Sequence, residues 1–219
     1  MATVAGIDEA GRGPVIGPLV ICGVLINKGD EEKLSQMGVK DSKLLTPLQR
    51  EAPFDKILSM VKKYHLIVVS APEIDKAVEG NDGLNLNWLE ANKTAEILNH
   101  LQPDEAIIDC PSNNIEKYTI YIKNKVKDKD IKVKAEHKAD LNYVVVGAAS
   151  ILAKVTRDRE IEKIKKRLKE NVGSGYPSDP VTVEFLQKNY KKHPDIFRHS
   201  WESYKRLAEV KKQKKLAEF

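Results

Sequence analysis

The sequence predicts an α/β fold: a mixed five-stranded sheet with helices on both faces, plus a small C-terminal helical lobe. Three strand-like runs come early in the chain, as expected for consecutive antiparallel strands. Strand and helix patterns then alternate, as crossover connections between parallel strands require. Beyond about residue 175 only helical periodicity is found. We therefore expect one domain over residues 1–174 and a second over residues 175–219.

The five strands are predicted from runs rich in β-branched and other apolar residues. They cover residues 3–8, 15–27, 64–70, 105–110 and 131–136. A polar, glycine-rich insert, DEAGRGP, separates the first two strands at residues 8–14. Its glycines predict a tight turn, because glycine alone adopts left-handed backbone conformations at little cost.

The helices are predicted from capping residues and apolar periodicity. Thr46, Pro47 and Gln49 mark one helix start, and Pro53 is expected to truncate or kink that helix. Further helices are predicted over residues 86–101, 115–126, 141–170 and 201–216, with another start at Asp179 and Pro180. The helix over 141–170 begins apolar on all sides and ends highly charged, so its first half should be buried and its second half solvated.

Composition indicates a soluble globular protein. Of the 219 residues, 41% are hydrophobic and 32% are charged, and no apolar run reaches membrane-spanning length unbroken. The N-terminus lacks the features of a signal peptide and there are only two cysteines, so we expect a cytoplasmic protein without a membrane partner. The net charge is +5, and lysine and arginine crowd residues 154–215, which favours an anionic partner. We expect a monomer, because no exposed apolar stripe stands out.

Acidic residues follow several of the predicted strands. Asp8 and Glu9 end the first strand, Asp109 closes the fourth, and Asp140 follows the fifth. Because neighbouring strand residues point to opposite faces, Asp8 and Glu9 can serve one site only if the strand ends or bulges there. If the first and fourth strands are parallel neighbours, Asp8 and Asp109 share the carboxyl edge of the sheet, where α/β proteins form their sites.

Each acid also has a purely structural interpretation. Asp109 and Asp140 could cap the helices that follow them, and Glu9 could be solvated. Several carboxylates at one edge nevertheless repel each other unless cations neutralise them. Oxygen ligands favour Mg²⁺ or Mn²⁺, and two such ions suit in-line hydrolysis of a phosphodiester. The acids together therefore predict a metal-dependent nuclease.

Seven motifs, in order along the chain, resemble those of ribonuclease HII, most of all in its archaeal members. They are GIDEAGRGP, DSK at 41–43, IIDCPS, EHKAD, AASILAK, SGYPSDP and RHSW. The resemblance implies a ribonuclease H-like catalytic domain over 1–174 and a substrate-binding helical lobe and tail over 175–219. It also implies endonucleolytic cleavage of RNA in RNA/DNA hybrids, and cleavage 5′ of single ribonucleotides in duplex DNA. Such cleavage leaves 3′-hydroxyl and 5′-phosphate ends and serves ribonucleotide excision repair and DNA replication.

The same resemblance implies residue roles. The family's metal-binding catalytic acids, which hold Mg²⁺ or Mn²⁺, fall on Asp8, Glu9, Asp109 and Asp140. Its substrate-binding residues fall on Gly11, Arg12, Gly13, Lys43 and Tyr176. A turn without Cβ atoms can approach a sugar closely, and its backbone groups can meet the 2′-OH that distinguishes RNA from DNA. The arginine can bind a phosphate, the lysine lies near the phosphates, and the tyrosine stacks on the sugar after the ribonucleotide.

Two other functional classes remain open. A DNA nuclease on the same fold would use the same acids, but the turn that can read a 2′-OH argues against it. A non-catalytic nucleic-acid binder would be expected to lack some of the carboxylates, whereas all four are present.

The C-terminal segment KKQKKLAEF carries a candidate partner motif. Gln213, Leu216 and Phe219 have the spacing of the Gln-x-x-Leu-x-x-Phe peptide with which DNA-processing enzymes dock on the sliding clamp. A short helical turn would present the apolar anchors to a groove, and the lysines would steer it electrostatically. Alternatively, Leu207, Val210 and Leu216 continue the apolar face of the last helix. We favour clamp docking, because a terminal aromatic on a lysine-rich tail has little else to pack against.

Overall fold

Five strands form one mixed sheet. The computed structural model describes residues 1–39, 47–80 and 84–217, of which residues 47, 48 and 211–217 are described by their backbone alone. The strands are β1 (Thr3–Ala10), β2 (Leu19–Asn27), β3 (Lys63–Val69), β4 (Glu105–Asp109) and β5 (Lys132–Glu136). Their order across the sheet is β3-β2-β1-β4-β5. β1 pairs antiparallel with β2 and parallel with β4, and β4 pairs parallel with β5, which confirms the predicted mixed sheet.

Nine α-helices are found among the described residues. They are α1 (Glu31–Ser35), α2 (Pro47–Met60), α3 (Ala71–Glu79), α4 (Leu86–Leu101), α5 (Ile115–Lys125), α6 (Ala139–Asn142), α7 (Val144–Leu168), α8 (Pro180–Asn189) and α9 (Glu202–Ala217). Sequence analysis misses the short α1 and also misses α3, although Ser70 caps α3 and accepts the N–H of Glu73. In the described ranges, none of these helices is both long and apolar enough to cross a bilayer.

Two strands differ in length from their predictions. The second strand begins at Leu19 rather than at residue 15, because Gly17 has a φ of +88°, outside the β region. The first strand continues through Ala10 instead of ending near Asp8, and it keeps its pairing with β2 throughout. The glycine-rich turn therefore starts two residues later than expected.

Two helices also differ from their predictions. The helix expected over 141–170 is divided into α6 and α7 at Tyr143, whose φ of −123° and ψ of 116° are extended. Pro53 lies inside α2 without ending it, and Phe54 and Ile57 of the same helix are buried in the core. Their burial stabilises α2 enough to tolerate the missing N–H of Pro53. The predicted cap, Thr46, lies outside the described residues.

The sheet and the helices that cover its two faces belong to one compact unit, formed by Met1–Ala10, Val20–Val68 and Leu86–Asp158. On one face α7 approaches β1 closely, since a Cβ at Gly6 would lie 2.3 Å from the carbonyl carbon of Val145. On the other face α4 packs against β2, since a Cβ at Gly23 would lie 2.3 Å from Cγ2 of Ile97. The first half of α7 is mostly buried and its second half is mostly half-buried or exposed, in line with the predicted change from buried to solvated.

A second compact unit is formed by Gly11–Leu19, Val69–Asn85 and Arg159–Phe219. Its buried apolar core consists of Val15, Ile16, Ile161, Val172, Phe185, Leu186, Ile196 and Phe197. Ile16 and Phe197 form an isolated antiparallel bridge in this unit. The unit is therefore assembled from segments that are far apart along the chain. The domain boundary expected at residue 174 stays a prediction.

Candidate active site

Three carboxylates meet at the carboxyl ends of β1 and β4. Asp8, Asp109 and Asp140 each offer one oxygen, and these oxygens lie within 4.8 Å of one another. Asp8 and Asp140 are only 5% and 4% exposed, and Asp109 is half-buried. Among the described residues this is the only group of three or more potential metal ligands with such spacing. We call it the three-carboxylate group.

Asp8 is held where β1 runs between β2 and β4. The close approach of α7 at Gly6 brings Ser150 and Lys154 of that helix to the Asp8 carboxyl group. The Asp8 Oδ1 also accepts the backbone N–H of Glu9 at 2.7 Å. Ser150 is fully buried, and its side chain lowers the pKa of Asp8. Sequence analysis gives Ser150 and Lys154 no role, although both lie in the AASILAK motif.

Asp109 lies beside Asp8 because β1 and β4 are parallel and in register. Ile7 is paired with Ile108, so the next residue of each strand carries one of the two acids. The expectation that these acids share the carboxyl edge of the sheet is met. The Asp109 Oδ1 accepts a backbone N–H from α6 at 3.0 Å, which fixes the orientation of this carboxylate.

Asp140 reaches the group through a sharp turn after β5. Lys138 has a φ of 57°, a left-handed conformation that ends the strand direction abruptly. Ala139 then begins α6 and donates its N–H to Asp109, and Asp140 follows as the second residue of the helix. The side chain of Lys138 does not cap this helix. The Asp109 carboxylate instead accepts the N–H of Ala139 and so acts as the N-terminal cap of α6.

The raised pKa of Asp8 indicates that the three-carboxylate group is suited to binding a cation. Burial and, to a smaller extent, the charge of Asp109 raise the pKa of Asp8 to about 7, against the opposing effects of Ser150, the Glu9 N–H and Lys154. Buried carboxylates this close together are stabilised as anions by a neighbouring cation. An all-oxygen donor set is the one that Mg²⁺ and Mn²⁺ prefer. The residues present therefore fit a divalent metal.

Glu9 does not belong to the three-carboxylate group. β1 neither ends nor bulges at Asp8, since Asp8 pairs with Cys22 and Glu9 with Ile21 in continuous register. The two acids therefore point to opposite faces of the sheet. Burial raises the pKa of Tyr118 well above its usual value and the charge of Glu9 adds to the rise, which places Glu9 on the α5 side. Its role as a metal ligand stays a prediction.

The predicted substrate-binding turn belongs to the second compact unit. Gly11 has a φ of 87°, which glycine adopts without strain. Arg12 is half-buried and Gly13 is exposed. The Tyr176 ring lies beside Gly13, because a Cβ there would be 3.6 Å from its Cε1 atom. Tyr176 is 39% exposed, so part of its ring is open to solvent.

Sequence analysis assigns no role to Arg198 and Trp201, although both lie in the RHSW motif. The side chain of Arg198 is fully buried. It donates hydrogen bonds of 2.6–3.0 Å to the carbonyl oxygens of Gly11, Arg12 and Gly17. Trp201 donates its Nε1–H to the carbonyl oxygen of Gly13 at 3.2 Å. The sequence feature that could have indicated a role for Arg198 is its place in this motif, between Phe197 and Trp201.

The remaining predicted residues are described partly or not at all. Lys43 and Phe219 lie outside the described residues. Gln213 and Leu216 lie in the last part of α9, over residues 211–217, where only the backbone is described. Their spacing of three residues places them on the same side of that helix.

Comparisons with known proteins extend over nearly the whole chain. The sequence model of the Ribonuclease HII family matches residues 5–204. Ribonuclease HII of Thermococcus sibiricus is 46% identical over 215 residues, which are 96% of this chain and 93% of that protein. The crystal structure of the ribonuclease H2 from Pyrococcus horikoshii OT3 superimposes with a TM-score of 0.85 at 45% identity. The superposition covers 95% of this chain and 98% of that chain.

A third similar structure is that of the PCNA:RNase HII complex from Archaeoglobus fulgidus. It has a TM-score of 0.76 at 40% identity and covers 84% of this chain and 85% of that chain. The family model, the relative and the two solved structures are all of ribonuclease HII or ribonuclease H2. The chain therefore belongs to the ribonuclease HII family of ribonuclease H endonucleases.

Proposed function

We propose that this protein hydrolyses the RNA strand of RNA/DNA hybrids and cuts on the 5′ side of single ribonucleotides embedded in duplex DNA. The observation that carries the proposal is the convergence of Asp8, Asp109 and Asp140 in a chain of this family. The activity would serve ribonucleotide excision repair and DNA replication. The protein would act as a monomer in the cytoplasm.

The three-carboxylate group would hold Mg²⁺ or Mn²⁺, with Glu9 as the fourth predicted ligand. When bound, two divalent ions supply activation of the attacking water and stabilisation of the leaving 3′-oxygen, so in-line hydrolysis leaves 3′-hydroxyl and 5′-phosphate ends. The bond from Ala139 orients the carboxylate of Asp109. The positive charge of Lys154 lowers the pKa of Asp8 against burial and so favours the ionised, ligating form.

The turn that follows β1 directly would recognise the ribonucleotide. Gly11 and Gly13 allow the backbone to approach a sugar, and the turn's polar backbone groups would meet its 2′-OH. Arg12 would bind an adjacent phosphate, and Lys43 would lie near the phosphates. The exposed part of the Tyr176 ring would stack on the following sugar. The left-handed φ of Gly11 and the position of Tyr176 beside Gly13 support this proposal.

A sliding clamp is the proposed protein partner. α9 continues to Ala217, so Gln213 and Leu216 are presented on a helix rather than in an extended tail. The solved complex between PCNA and a ribonuclease HII at 40% identity to this chain also supports this partner. Phe219 would complete the apolar anchors of the docking peptide.

Three duplexes incubated with Mg²⁺ or Mn²⁺ test the proposed activity. One carries a single ribonucleotide in DNA, one is an RNA/DNA hybrid, and one is DNA throughout. We expect cleavage of the first two only, with product ends that a ligase can rejoin. Equal cleavage of all three would instead support a DNA nuclease, and cleavage of none would support a non-catalytic binder.

A further inference from the structure

We propose that Arg198 is a positioning residue that determines which side of the Gly11–Gly13 turn presents its N–H groups. The proposal rests on the proposed function of that turn as the ribonucleotide-reading element. Arg198, which is far from the turn along the chain, would thereby contribute to recognition of the ribonucleotide. All of the contacts involved lie within the second compact unit.

Arg198 and its neighbour Trp201 occupy the carbonyl side of the turn. The Nη2 atom of Arg198 donates to the carbonyl oxygen of Gly11 at 2.6 Å, and Nη1 donates to that of Arg12 at 3.0 Å. The indole N–H of Trp201 donates to the carbonyl oxygen of Gly13 at 3.2 Å. Three consecutive carbonyl groups therefore face residues 198–201.

The planarity of the peptide group determines where the corresponding N–H groups point. In a trans peptide the N–H points opposite to the C=O, and no described peptide bond is cis. The N–H of Arg12 shares its peptide group with the Gly11 carbonyl, so it points away from Arg198. The N–H of Gly13 does the same, and the third peptide group ends at Pro14, which has no N–H. The turn thus presents two adjacent N–H donors on the side opposite to Arg198.

Further bonds fix this orientation. The Nε atom of Arg198 donates to the carbonyl oxygen of Gly17 at 3.0 Å, and its backbone N–H donates to that of Val15 at 2.9 Å. The N–H of Gly17 in turn donates to the carbonyl oxygen of Ile196 at 2.9 Å. The guanidinium group lies 4.8 Å from the Trp201 ring centroid. Both ends of the turn are therefore held by the segment that contains Arg198.

The buried charge of Arg198 also strengthens the donors that the turn presents. A charged donor forms stronger hydrogen bonds than a neutral one, and bonds in series polarise each other in a low-dielectric interior. Carbonyl groups polarised by the guanidinium therefore make the N–H groups of the same peptides better donors. Lysine cannot replace this geometry, since its ammonium is a single point and lacks the planar fork that reaches separate carbonyls.

The test compares Arg198→Lys and Arg198→Gln with two control variants of the same unit. Arg167→Lys makes the same chemical change at an exposed ion pair with Asp195. Leu186→Ala creates a cavity in the same core, so it controls for general loss of stability. Hydrogen exchange followed by mass spectrometry reports on the 11–17 segment and on α8 separately. Cleavage kinetics are measured on the duplex with a single ribonucleotide.

We expect both Arg198 variants to raise amide exchange over residues 11–17 while leaving exchange in α8 at the wild-type rate. In the same variants kcat/KM should fall at least about 10-fold, because small misplacements of positioning groups have effects of this size. Arg167→Lys should change neither quantity, and Leu186→Ala should raise exchange in α8. Wild-type exchange over 11–17 in Arg198→Lys, or an equal rise in α8, overturns the proposal.

Trp201→Phe keeps the test decisive if the Arg198 variants do not fold. This variant loses the bond to the Gly13 carbonyl and replaces the indole beside Arg198 with a smaller ring, so exchange in the turn should rise and α8 should be unaffected. No rise in the turn then contradicts the positioning role. If the wild-type protein cuts no ribonucleotide-containing duplex, the proposed function fails, while the exchange pattern still decides the role of Arg198.

Discussion

The carboxylate of Asp109 accepts the backbone N–H of Ala139 at 3.0 Å, and this bond ties the last residue of β4 to the start of α6. Because Asp140 is the next residue, two of the three converging carboxylates are fixed relative to each other through the main chain. A metal site whose ligands are held in this way needs little rearrangement on binding. Variants that preserve this bond can therefore test the charge of Asp109 alone.

Asp109→Asn should reduce cleavage at least about 100-fold, since even outer contacts of metal sites contribute 10- to 100-fold and this change removes a charged ligand. An asparagine there can still accept the Ala139 N–H, so the thermal midpoint should stay the same or rise as repulsion is relieved. Initial rates on the single-ribonucleotide duplex and circular dichroism measure the two effects. Asp30→Asn, at an exposed pair with Lys33, is the control. Full activity of Asp109→Asn would contradict the assignment of Asp109 as a metal ligand.

Metal binding should release a proton from Asp8. Burial raises the pKa of this carboxyl group to about 7, so in mildly acidic solution the metal-free protein keeps it protonated. Affinity for Mg²⁺ or Mn²⁺ should therefore rise as the pH increases to about 7 and then level off. Calorimetry at about pH 6 in two buffers of different ionisation enthalpy counts the protons released. Asp8→Asn should abolish the release, and a pH-independent affinity in the wild type would contradict the prediction.

The same carboxyl group gives the metal-free protein a defined pH dependence of stability. Its folded-state pKa of about 7 lies above the ordinary value of 3.8, so between these values the folded chain binds more protons than the unfolded chain. The stabilising contribution is complete below the ordinary value and is lost as the pH rises through the folded-state pKa. Urea denaturation with a chelator present should show this loss in the wild type. Asp8→Asn should remove this pH-dependent loss of stability. If both proteins show the same dependence of stability on pH, the loss does not come from Asp8.

Gly6→Ala should lower the free energy of unfolding by at least about 1–3 kcal/mol, the usual cost of overpacking. The added Cβ would meet main-chain atoms of Val145 and Val146 at 2.3–2.5 Å, so α7 must move away from β1. The same movement should separate Ser150 and Lys154 from Asp8 and reduce cleavage. Gly29→Ala is the matched control, since nothing lies within 4 Å of a Cβ there. Equal stability of the two variants in urea denaturation would disprove the close approach.

Tyr176→Ala should impair cleavage at a single ribonucleotide more than cleavage of a uniform hybrid. The exposed part of the ring is available for the sugar that follows a ribonucleotide, and this contact matters most at a junction with DNA. Tyr176→Phe keeps the ring and should remain close to the wild type on both substrates. Steady-state kinetics give kcat/KM on each duplex, and the ratio of the two values measures the preference for the single ribonucleotide. Equal losses on both duplexes would indicate that Tyr176 has only a structural role.

A chain ending at Lys212 should lose affinity for the cognate sliding clamp. It lacks Gln213, Leu216 and Phe219, which are the proposed anchors. Phe219→Ala should weaken binding in the full chain, and both proteins should cut duplexes as the wild type does when no clamp is present. Calorimetry against the purified clamp gives the affinities. Equal binding by the full and shortened chains, or binding by neither, would exclude docking through the tail.

The sequence predicts the sheet well because each strand carries a continuous apolar run, and such runs depend only on local composition. It also places Asp8, Asp109 and Asp140 together, since parallel neighbouring strands bring their carboxyl ends to one edge. The pairing register is a long-range property, and it decides that β1 continues through Glu9 without a bulge. For this reason the expected strand end or bulge at Asp8 is absent, and the role of Glu9 as a metal ligand stays a prediction.

Other features of the site depend on contacts that no local pattern reveals. Gly6 is a glycine because a helix more than a hundred residues later packs against it, and in the sequence it is one apolar strand residue among others. Arg198 is buried by a turn at the other end of the chain. Its motif could be found in the sequence, but its role required the carbonyl groups that it contacts.

The bond between Arg198 and Gly11 joins residues that are 187 positions apart, which has a consequence for how the enzyme is made. A ribosome adds Gly11 long before Arg198, so the turn emerges well before the side chain that contacts it. By the time Asp140 has been added, all three converging carboxylates exist, yet the turn still lacks its support. A nascent chain therefore acquires its three converging carboxylates first and the support of the Gly11–Gly13 turn only later.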